Sequence, residues 1–576
     1  MGGFFLVHRD DVAQDDSLVA RLHAPYARRG FAPPTHLQAG AFALYRYDKL
    51  FAKSDHVVRC AANGLCVAVG TFYYRGGADA AALRSLADDY HANALDWARL
   101  HGNFCILLVK DDTIDLLCDR LGSYRVYHNR ARTIYATSLS ALVEATPRLT
   151  ADDQGVFEYL FLGSPMGRKT IFREVLRTPT NSIVQLDGRR AIEQSLPPLS
   201  VRTEDKDFAE LLDEHLHLLR TWFATLGNVH GDRICAALTG GYDSRLMLAL
   251  LRDQGLRPRV YVYGRLEDPD VRIASEIARG EGFALEHIDR TGPTDTSSVG
   301  LRAIVGCNFD SLDVMPLPGV IDNGSDVASR ELRVSNGELM LNGTGGEAYR
   351  RPHLGDRPHQ IREVVWRFFC GFDPEVLTPR FEEETYCKNI EQDLRVELVI
   401  ENSTLTSGEA DHAYPRFFGR SLAGHNTSVN NAFSWALTPF LDNLQNFQAA
   451  TRLSFEQRRA GAFQAALIRR LDRSLASYPS AYGQPFDVPP DDARRTSEQR
   501  WSERSPQTFR HQPQPPRRID WPPELDQEHL GKLFDPAFPY LRRFIDPDRV
   551  TDQNLFRRIC TLEYAFQRGP ARISLA

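Results

Sequence analysis

The chain has 576 residues, a formal net charge of -6, 42% hydrophobic residues and 25% charged residues. That length holds two or three domains with ample core in each, and the mild acidity gives no basis for a nucleic-acid surface. No apolar run is long enough to span a bilayer, and the opening Met1-Gly2-Gly3-Phe4-Phe5-Leu6 meets His8, Arg9, Asp10 and Asp11 too soon for a signal peptide.

In chain order, Cys66 to Tyr74, Phe104 to Lys110, Ile114 to Cys118 and Thr133 to Thr137 have the apolar, β-rich character of strands, with Asp111-Asp112 as a hairpin turn. Leu139 to Ala145 and Gln154 to Phe161 have helical spacing. Residues 1–200 therefore read as a strand-dominated α+β domain, closed by Pro197-Pro198 and the charged stretch Arg202 to Asp207. From Phe208 the pattern alternates: a helix to Leu226, a strand from Ile234 to Leu238, a strand from Val260 to Tyr263, a helix from Val271 to Arg279 and a strand from Leu285 to Ile288. Such alternation implies right-handed crossovers and a parallel sheet, an α/β domain over 206–576. Gln360 to Phe369, Ala462 to Ala476 and Leu555 to Phe566 read as helices. Gln484 to Pro523, rich in proline, arginine and glutamine, reads as a loop or mobile linker. The nine cysteines are scattered without metal or redox spacing, as expected of reduced thiols in a cytoplasmic protein.

The stretch that carries chemistry is Leu238-Thr239-Gly240-Gly241-Tyr242-Asp243-Ser244-Arg245. It joins the apolar strand to a helix in which Leu246, Met247, Leu250 and Leu251 recur at helical spacing. A helix N-terminus carries partial positive charge and attracts phosphate, and glycines let the backbone approach an anion. Asp243 is placed to hold a magnesium ion against that phosphate. A Walker loop would need a lysine beside its final hydroxyl, and none is near Ser244. An ordinary turn and helix cap would use the same residue types, so the motif alone leaves a structural role open.

Further landmarks accompany it. Leu100-His101-Gly102-Asn103-Phe104, Cys118-Asp119-Arg120-Leu121-Gly122 and Tyr135-Ala136-Thr137-Ser138 follow one another in the first half. Leu341-Asn342-Gly343-Thr344-Gly345-Gly346-Glu347 and Pro439-Phe440-Leu441-Asp442 follow in the second. In order and spacing these segments resemble the asparagine synthetase superfamily over most of the chain. The resemblance implies an N-terminal nucleophile-type sandwich domain followed by a PP-loop synthetase domain of the adenine nucleotide α-hydrolase type. It implies ATP and Mg2+ as cofactors, with cleavage between the α and β phosphates to give an acyl-adenylate. Leu238, Thr239, Gly240, Gly241, Asp243, Ser244, Gly343, Gly345 and Gly346 would then cradle the phosphates. Val262, Tyr263 and Gly264 would meet the base, and Asp243 and Glu347 would hold the metal.

Departures from that family pattern narrow the expectation. The family's nucleophilic cysteine after the initiator methionine is here Gly2, which implies a retired glutaminase like those of the β-lactam synthetases and lasso-peptide cyclases. Thr344 replaces a glutamate or tyrosine that assists the attacking amine, and threonine is no general base unaided. Glu382, with Glu383 and Glu384, lies where a β-lactam synthetase recruits a partner carboxylate, although such a run is also an ordinary charged helix face. No lysine occurs between Lys388 and Lys532, where the family has one, and the aligned stretch is Ser477 to Gly483. Arg469, Arg470 and Arg473, on the preceding helix, are the candidates to supply that charge, though surface helix arginines are the commoner case. Trp435 and Leu437 replace a family Glu and Arg, so the acceptor pocket is not expected to suit aspartate.

The expected activity is a glutamine-independent, AMP-forming carbon–nitrogen ligase acting in biosynthesis. Its partner is a small-molecule or peptide substrate bearing a carboxylate and an amine, with no nucleic acid or membrane, and a homodimer or pathway partner protein is compatible with it. A non-catalytic nucleotide-binding scaffold stays open as the alternative. A glutamine-dependent amidotransferase is disfavoured by Gly2.

Overall fold

The computed structural model describes residues 1–53, 56–60, 64–199, 206–350, 354, 357–488, 521–568 and 573–575. Residues 489–520, the greater part of the proline- and arginine-rich stretch, lie outside the described residues.

The first half is built from two antiparallel six-stranded sheets. One runs Val175–Arg177, Tyr127–Asn129, Ile134–Ala136, Gly3–His8, Phe42–Tyr47, Thr35–Ala39. The other runs Arg190–Ser195, Ser182–Asp187, Thr113–Cys118, Leu100–Lys110, Leu65–Tyr74, Val57–Arg59. Side chains of a strand alternate between faces, and the central strands are buried on both, whereas the edge strands Thr35–Ala39 and Arg190–Ser195 are largely exposed. Phe4 and Leu6 point between the sheets with Val67, Val69, Cys105 and Leu107. Their neighbours Phe5 and Val7 point the other way, against the helices Leu18–Arg28 and Leu139–Ala145. On the far sheet, Cys66, Ala68 and Ile106 pack under helix Ala80–His91. The result is helix, sheet, sheet, helix in four layers. Gly3–His8 and Phe42–Tyr47 complete the first sheet beyond the strands expected from the sequence.

The second half holds a five-stranded parallel sheet in the spatial order Leu285–Ile288, Arg259–Tyr263, Ile234–Ala237, Leu339–Leu341, Trp435–Leu437. The first three strands and their helices Tyr242–Asp253 and Pro269–Glu281 agree with the alternation read from the sequence. The two short strands that complete the sheet were not anticipated. The helix expected from Ala462 to Ala476 is two helices, Ala462–Leu471 and Arg473–Ser477, broken where extended Asp472 caps the second by accepting from the Leu475 N–H.

The two halves are not separate bodies. One apolar core joins Leu142, Phe157 and Tyr159 to Leu301, Phe369, Tyr386, Phe544 and Phe566. The strand Ile573–Leu575 pairs in parallel with Leu149–Ala151 of the first half. Among the described residues no helix is long and apolar enough to cross a membrane.

Candidate active site

Strand order sets the position of the site. Chain order runs outward in one direction from Ile234–Ala237 through the next two strands, then jumps to its other side with Leu339–Leu341. At such a reversal the connections leave the two central strands on opposite sides, and open α/β sheets bind ligands there, outside the carboxyl ends of the strands. The two glycine-rich segments are those two loops.

The first loop is held by its own hydroxyls. Ser244 Oγ accepts from the Thr239 N–H at 3.0 Å and lies 3.0 Å from Thr239 Oγ1, and the Gly240 N–H donates to Asp270 Oδ1 at 2.8 Å. Gly241 opens helix Tyr242–Asp253 with no capping side chain, so the first-turn N–H groups are left for another acceptor. Leu238 is fully buried, and its N–H donates to Tyr261 O at 2.9 Å.

The second loop lies directly on the first. A Cβ at Gly346 would stand 2.6 Å from Asp243 Oδ1, and one at Gly343 would stand 3.0 Å from the Asp243 carbonyl carbon. A Cβ would force a shift at Gly346 and be tight at Gly343, and this approach brings Glu347 within range of the Asp243 charge. Glu347 Oε2 accepts from the Gly345 N–H at 2.9 Å. Burial, and next the charge of Asp243, raise its pKa above the usual carboxylate range. A carboxyl held up by burial and a neighbouring carboxylate favours a cation nearby.

The cation found there is one the sequence reading missed. Arg350 reaches back to Asp243, with Nη2 at 2.9 Å from Oδ2 and Nε at 3.2 Å from Oδ1, and its guanidinium lies 5.7 Å from the ring centroids of both Tyr242 and Tyr482. Gln464, also missed, donates from Nε2 to Asp243 Oδ1 at 3.0 Å, while its buried Oε1 has no partner among the described residues. Neither belongs to a recognisable motif. Position three residues after Glu347 was the available hint for Arg350, since that spacing faces the same way on a turn of helix.

The other expected residues divide. Ser477 to Gly483, the stretch aligned with the family lysine, does lie on the first loop: the Ala481 N–H donates to Gly240 O at 3.0 Å. Arg245 anchors it from below, donating to Tyr478 O at 2.9 Å and Pro479 O at 2.7 Å. Arg469, Arg470 and Arg473, however, are all exposed, which corrects the expectation that one would face the loop. Arg469 donates to Asp487 O at 3.4 Å and Arg470 to Asp213 at 3.4 Å. At 3.6 residues per turn they stand about 140° and about 120° around the helix from Gln464, which is the residue that meets the site. Glu382 is also exposed. It precedes helix Glu383–Leu398 and accepts from Thr385 Oγ1 at 3.0 Å, because that helix turns Tyr386, Cys387 and Ile390 into the core instead.

Thr344, Asn342 and Tyr263 line a cavity of about 440 Å³ beside the two loops. Thr344 Oγ1 donates to Asn342 Oδ1 at 2.7 Å, so its hydroxyl is oriented by an amide oxygen and meets no base among the described residues. Val262 is buried in its strand, Tyr263 is 45% exposed, and the N–H of Gly264 meets Ile288 O at 3.4 Å. Among the described residues no cluster of three or more His, Cys, Asp or Glu forms a ready metal cage. Asp243 and Glu347 would be two protein ligands, which suits magnesium, since that ion usually takes one or two carboxylates and completes its shell with water and phosphate oxygens.

No family model matches the chain, and no curated relative matches it. Among solved structures it is similar to one described as the allosteric regulatory enzyme of purine biosynthesis, at 10% identity over 50% of this chain and 82% of that one, with a TM-score of 0.24. It is also similar to glutamine phosphoribosylpyrophosphate amidotransferase from B. subtilis, complexed with ADP and GMP, at 11% identity over 51% of this chain and 82% of that one, again with a TM-score of 0.24. Overlaps of that quality carry no argument about fold or function.

Proposed function

We propose that the protein is an ATP-dependent ligase of the PP-loop type that adenylates a carboxylate and passes the acyl group to an amine, releasing pyrophosphate and then AMP. The carrying observation is the meeting of the two glycine loops at the sheet's reversal, with Asp243 and Glu347 close enough to act on each other's charge beside an uncapped helix N-terminus.

On this reading the N–H groups opening helix Tyr242–Asp253 take phosphate oxygens, and Thr239 and Ser244 fix the loop that presents them. Asp243 and Glu347 would hold Mg2+, which when bound supplies positive charge to the departing pyrophosphate. The buried Gln464 carboxamide braces Asp243. Arg350 is a charged group of the cleft that can face developing negative charge, with two guanidinium edges and no proton to give. Carboxylate and amine would sit in the cavity lined by Thr344 and Tyr263.

The test is exchange of radiolabelled pyrophosphate into ATP across a panel of carboxylic acids with magnesium. Exchange with any acid supports adenylation, and none across a broad panel rejects it. A second reading, a non-catalytic nucleotide-binding scaffold, is favoured by one observation: Arg350 occupies Asp243, and Ser477 to Gly483 bring no lysine to the loop. Tight ATP binding without AMP formation would select it.

A further inference from the structure

The cavity beside Thr344 has a charge imbalance that the adenylation chemistry does not require. Its volume of about 440 Å³ is that of a small-molecule site, and helices Ser325–Val334 and Arg420–Phe433 contribute to its walls. Arg290, Arg330 and Arg333 line it against a single carboxylate, Asp326, and its one histidine, His425, is held neutral by burial and then by Arg125 and Arg330. Three guanidinium groups facing one carboxylate leave two positive charges over.

The hydrogen bonds show which arginines are spare. Arg330 is spent on Asp326, which it meets at 3.0 Å through both Nε and Nη2, and its Nη1 goes to Asn430 Oδ1. Burial pushes the Asp326 carboxyl up, but Arg330 and Arg290 outweigh it and hold the pKa below the usual carboxylate range. Arg333 is only 7% exposed and makes no ion pair among the described residues, although the charge of Asp326 acts on it. Its Nε donates to Ser329 O at 2.8 Å and its Nη1 to Tyr261 Oη at 3.1 Å, while Nη2 has no partner among the described residues. Arg290 spends Nη2 on Asp326, lies 5.3 Å from the Tyr263 ring centroid, and keeps Nε and Nη1 without a partner among the described residues. Both arginines line the cavity, so these open donor edges are available to an anion, which guanidinium binds through charge-assisted hydrogen bonds. The rest of the lining mixes apolar Leu312, Pro316, Leu422 and Val429 with a few polar groups, Asn342, Ser421 and Asn426.

We propose that the acid taken by this site bears a second anionic group, a carboxylate or a phosphate, separated from the reacting carboxylate by an apolar spacer and gripped by Arg290 and Arg333. The proposal rests on the adenylation reading for the identity of the reacting end alone.

The test titrates the full chain calorimetrically with straight-chain dicarboxylates of graded length, with monocarboxylates of the same lengths, and with an ω-phosphonocarboxylate. At least one diacid is expected to bind tenfold or more tightly than its matched monoacid, and preference for the phosphonate identifies a phosphate as the natural head group. Arg290→Gln, at a half-exposed position, should abolish that advantage while leaving the affinity for a non-hydrolysable ATP analogue unchanged. Arg333→Met should do the same, and its near-UV circular dichroism checks that the packing against Tyr261 survives. Equal affinity for mono- and diacids, or binding of neither, overturns the proposal. So does an Arg290→Gln chain that loses the nucleotide analogue as much as the diacid, because the charge then serves ATP. Pyrophosphate exchange in the same series separates the two claims. Exchange driven equally by monoacids refutes the second anionic group and keeps the ligase, whereas Arg290-dependent diacid binding without exchange does the reverse.

Discussion

Replacing Gly346 by alanine tests whether the contact between the loops is what makes the site. The added carbon would lie 2.6 Å from Asp243 Oδ1, 2.8 Å from Cγ and 2.9 Å from Cβ. Comfortable non-bonded contact begins at about 3.5 Å, so the shortfall is roughly 0.9 Å. Asp243 has little freedom to yield, because Arg350 holds both its oxygens at 3.2 and 2.9 Å and Gln464 holds Oδ1 at 3.0 Å. The second loop must therefore recoil, carrying Glu347 with it. Overpacking of this kind costs about 1–3 kcal/mol of stability, and a displacement on the order of 1 Å in a catalytic constellation costs about a hundredfold in rate. The expected result is a folded protein with a lowered Tm and pyrophosphate exchange reduced about a hundredfold. Gly241→Ala is the control. Gly241 is extended, with φ -87 and ψ 174, and a Cβ there meets only Thr239 Oγ1 at an ordinary 3.4 Å. It should exchange within a few-fold of the unaltered chain. Full activity in Gly346→Ala, or equal loss in the control, would refute the claim that close approach of the two loops builds the site.

Asp243→Asn should leave the fold intact and lower AMP formation about a hundredfold or more, since one carboxylate charge is removed from the metal position; unchanged turnover would take Asp243 out of the mechanism. Gly2→Cys should release no glutamate from glutamine. A Cβ at that position would stand 2.7 Å from Asp48 O and 2.9 Å from Phe31, so the thiol arrives with a displaced backbone, and any sustained hydrolysis would show a working glutamine pocket. The carboxyl of Asp442, between the halves, gives a pH prediction. Burial raises its pKa from 3.8 to about 8, so the folded chain binds that proton more tightly than the unfolded one. Its contribution to stability is complete below about pH 4 and is lost as pH rises through about 8. The Tm of the unaltered chain should fall relative to Asp442→Asn across that interval, and a constant difference would contradict the assignment.

Much of the second half was legible because its signals are local. The strand, loop and helix from Ile234 to Asp253 announce themselves within twenty residues, since one apolar run, two glycines and a helical repeat are contiguous. The short strands Leu339–Leu341 and Trp435–Leu437 have only three residues each and no periodicity to read, and their partners lie far away in sequence. The cations are illegible for a related reason. Sequence distance from the missing lysine points to Arg469 and Arg470, whereas a helix sorts side chains by angle and gives Gln464 the site and the arginines the solvent. Arg350 could not be singled out because its partnership with Asp243 spans 107 residues. The cavity arginines share this character: their surplus charge exists only once strand ends and two helices converge.

Lys49 imposes a different kind of limit on this chain. Its ammonium is buried in the first half, yet its three bonds go to Asn431 O at 2.7 Å, Asn431 Oδ1 at 3.1 Å and Ser434 O at 3.1 Å, all in the second. Thr71 adds a bond to the same Asn431 carboxamide at 2.6 Å, and Asn103 accepts from it at 3.0 Å. Were a gene to drop the first half, the Asn431 side-chain oxygen would lose both of its donors, Lys49 and Thr71, at the foot of the strand that completes the parallel sheet. Were it to drop the second, Lys49 would lose all three of its acceptors. Either truncation also bares to water the apolar core that runs through both halves. Heat or denaturant should therefore find the pair melting as one cooperative unit.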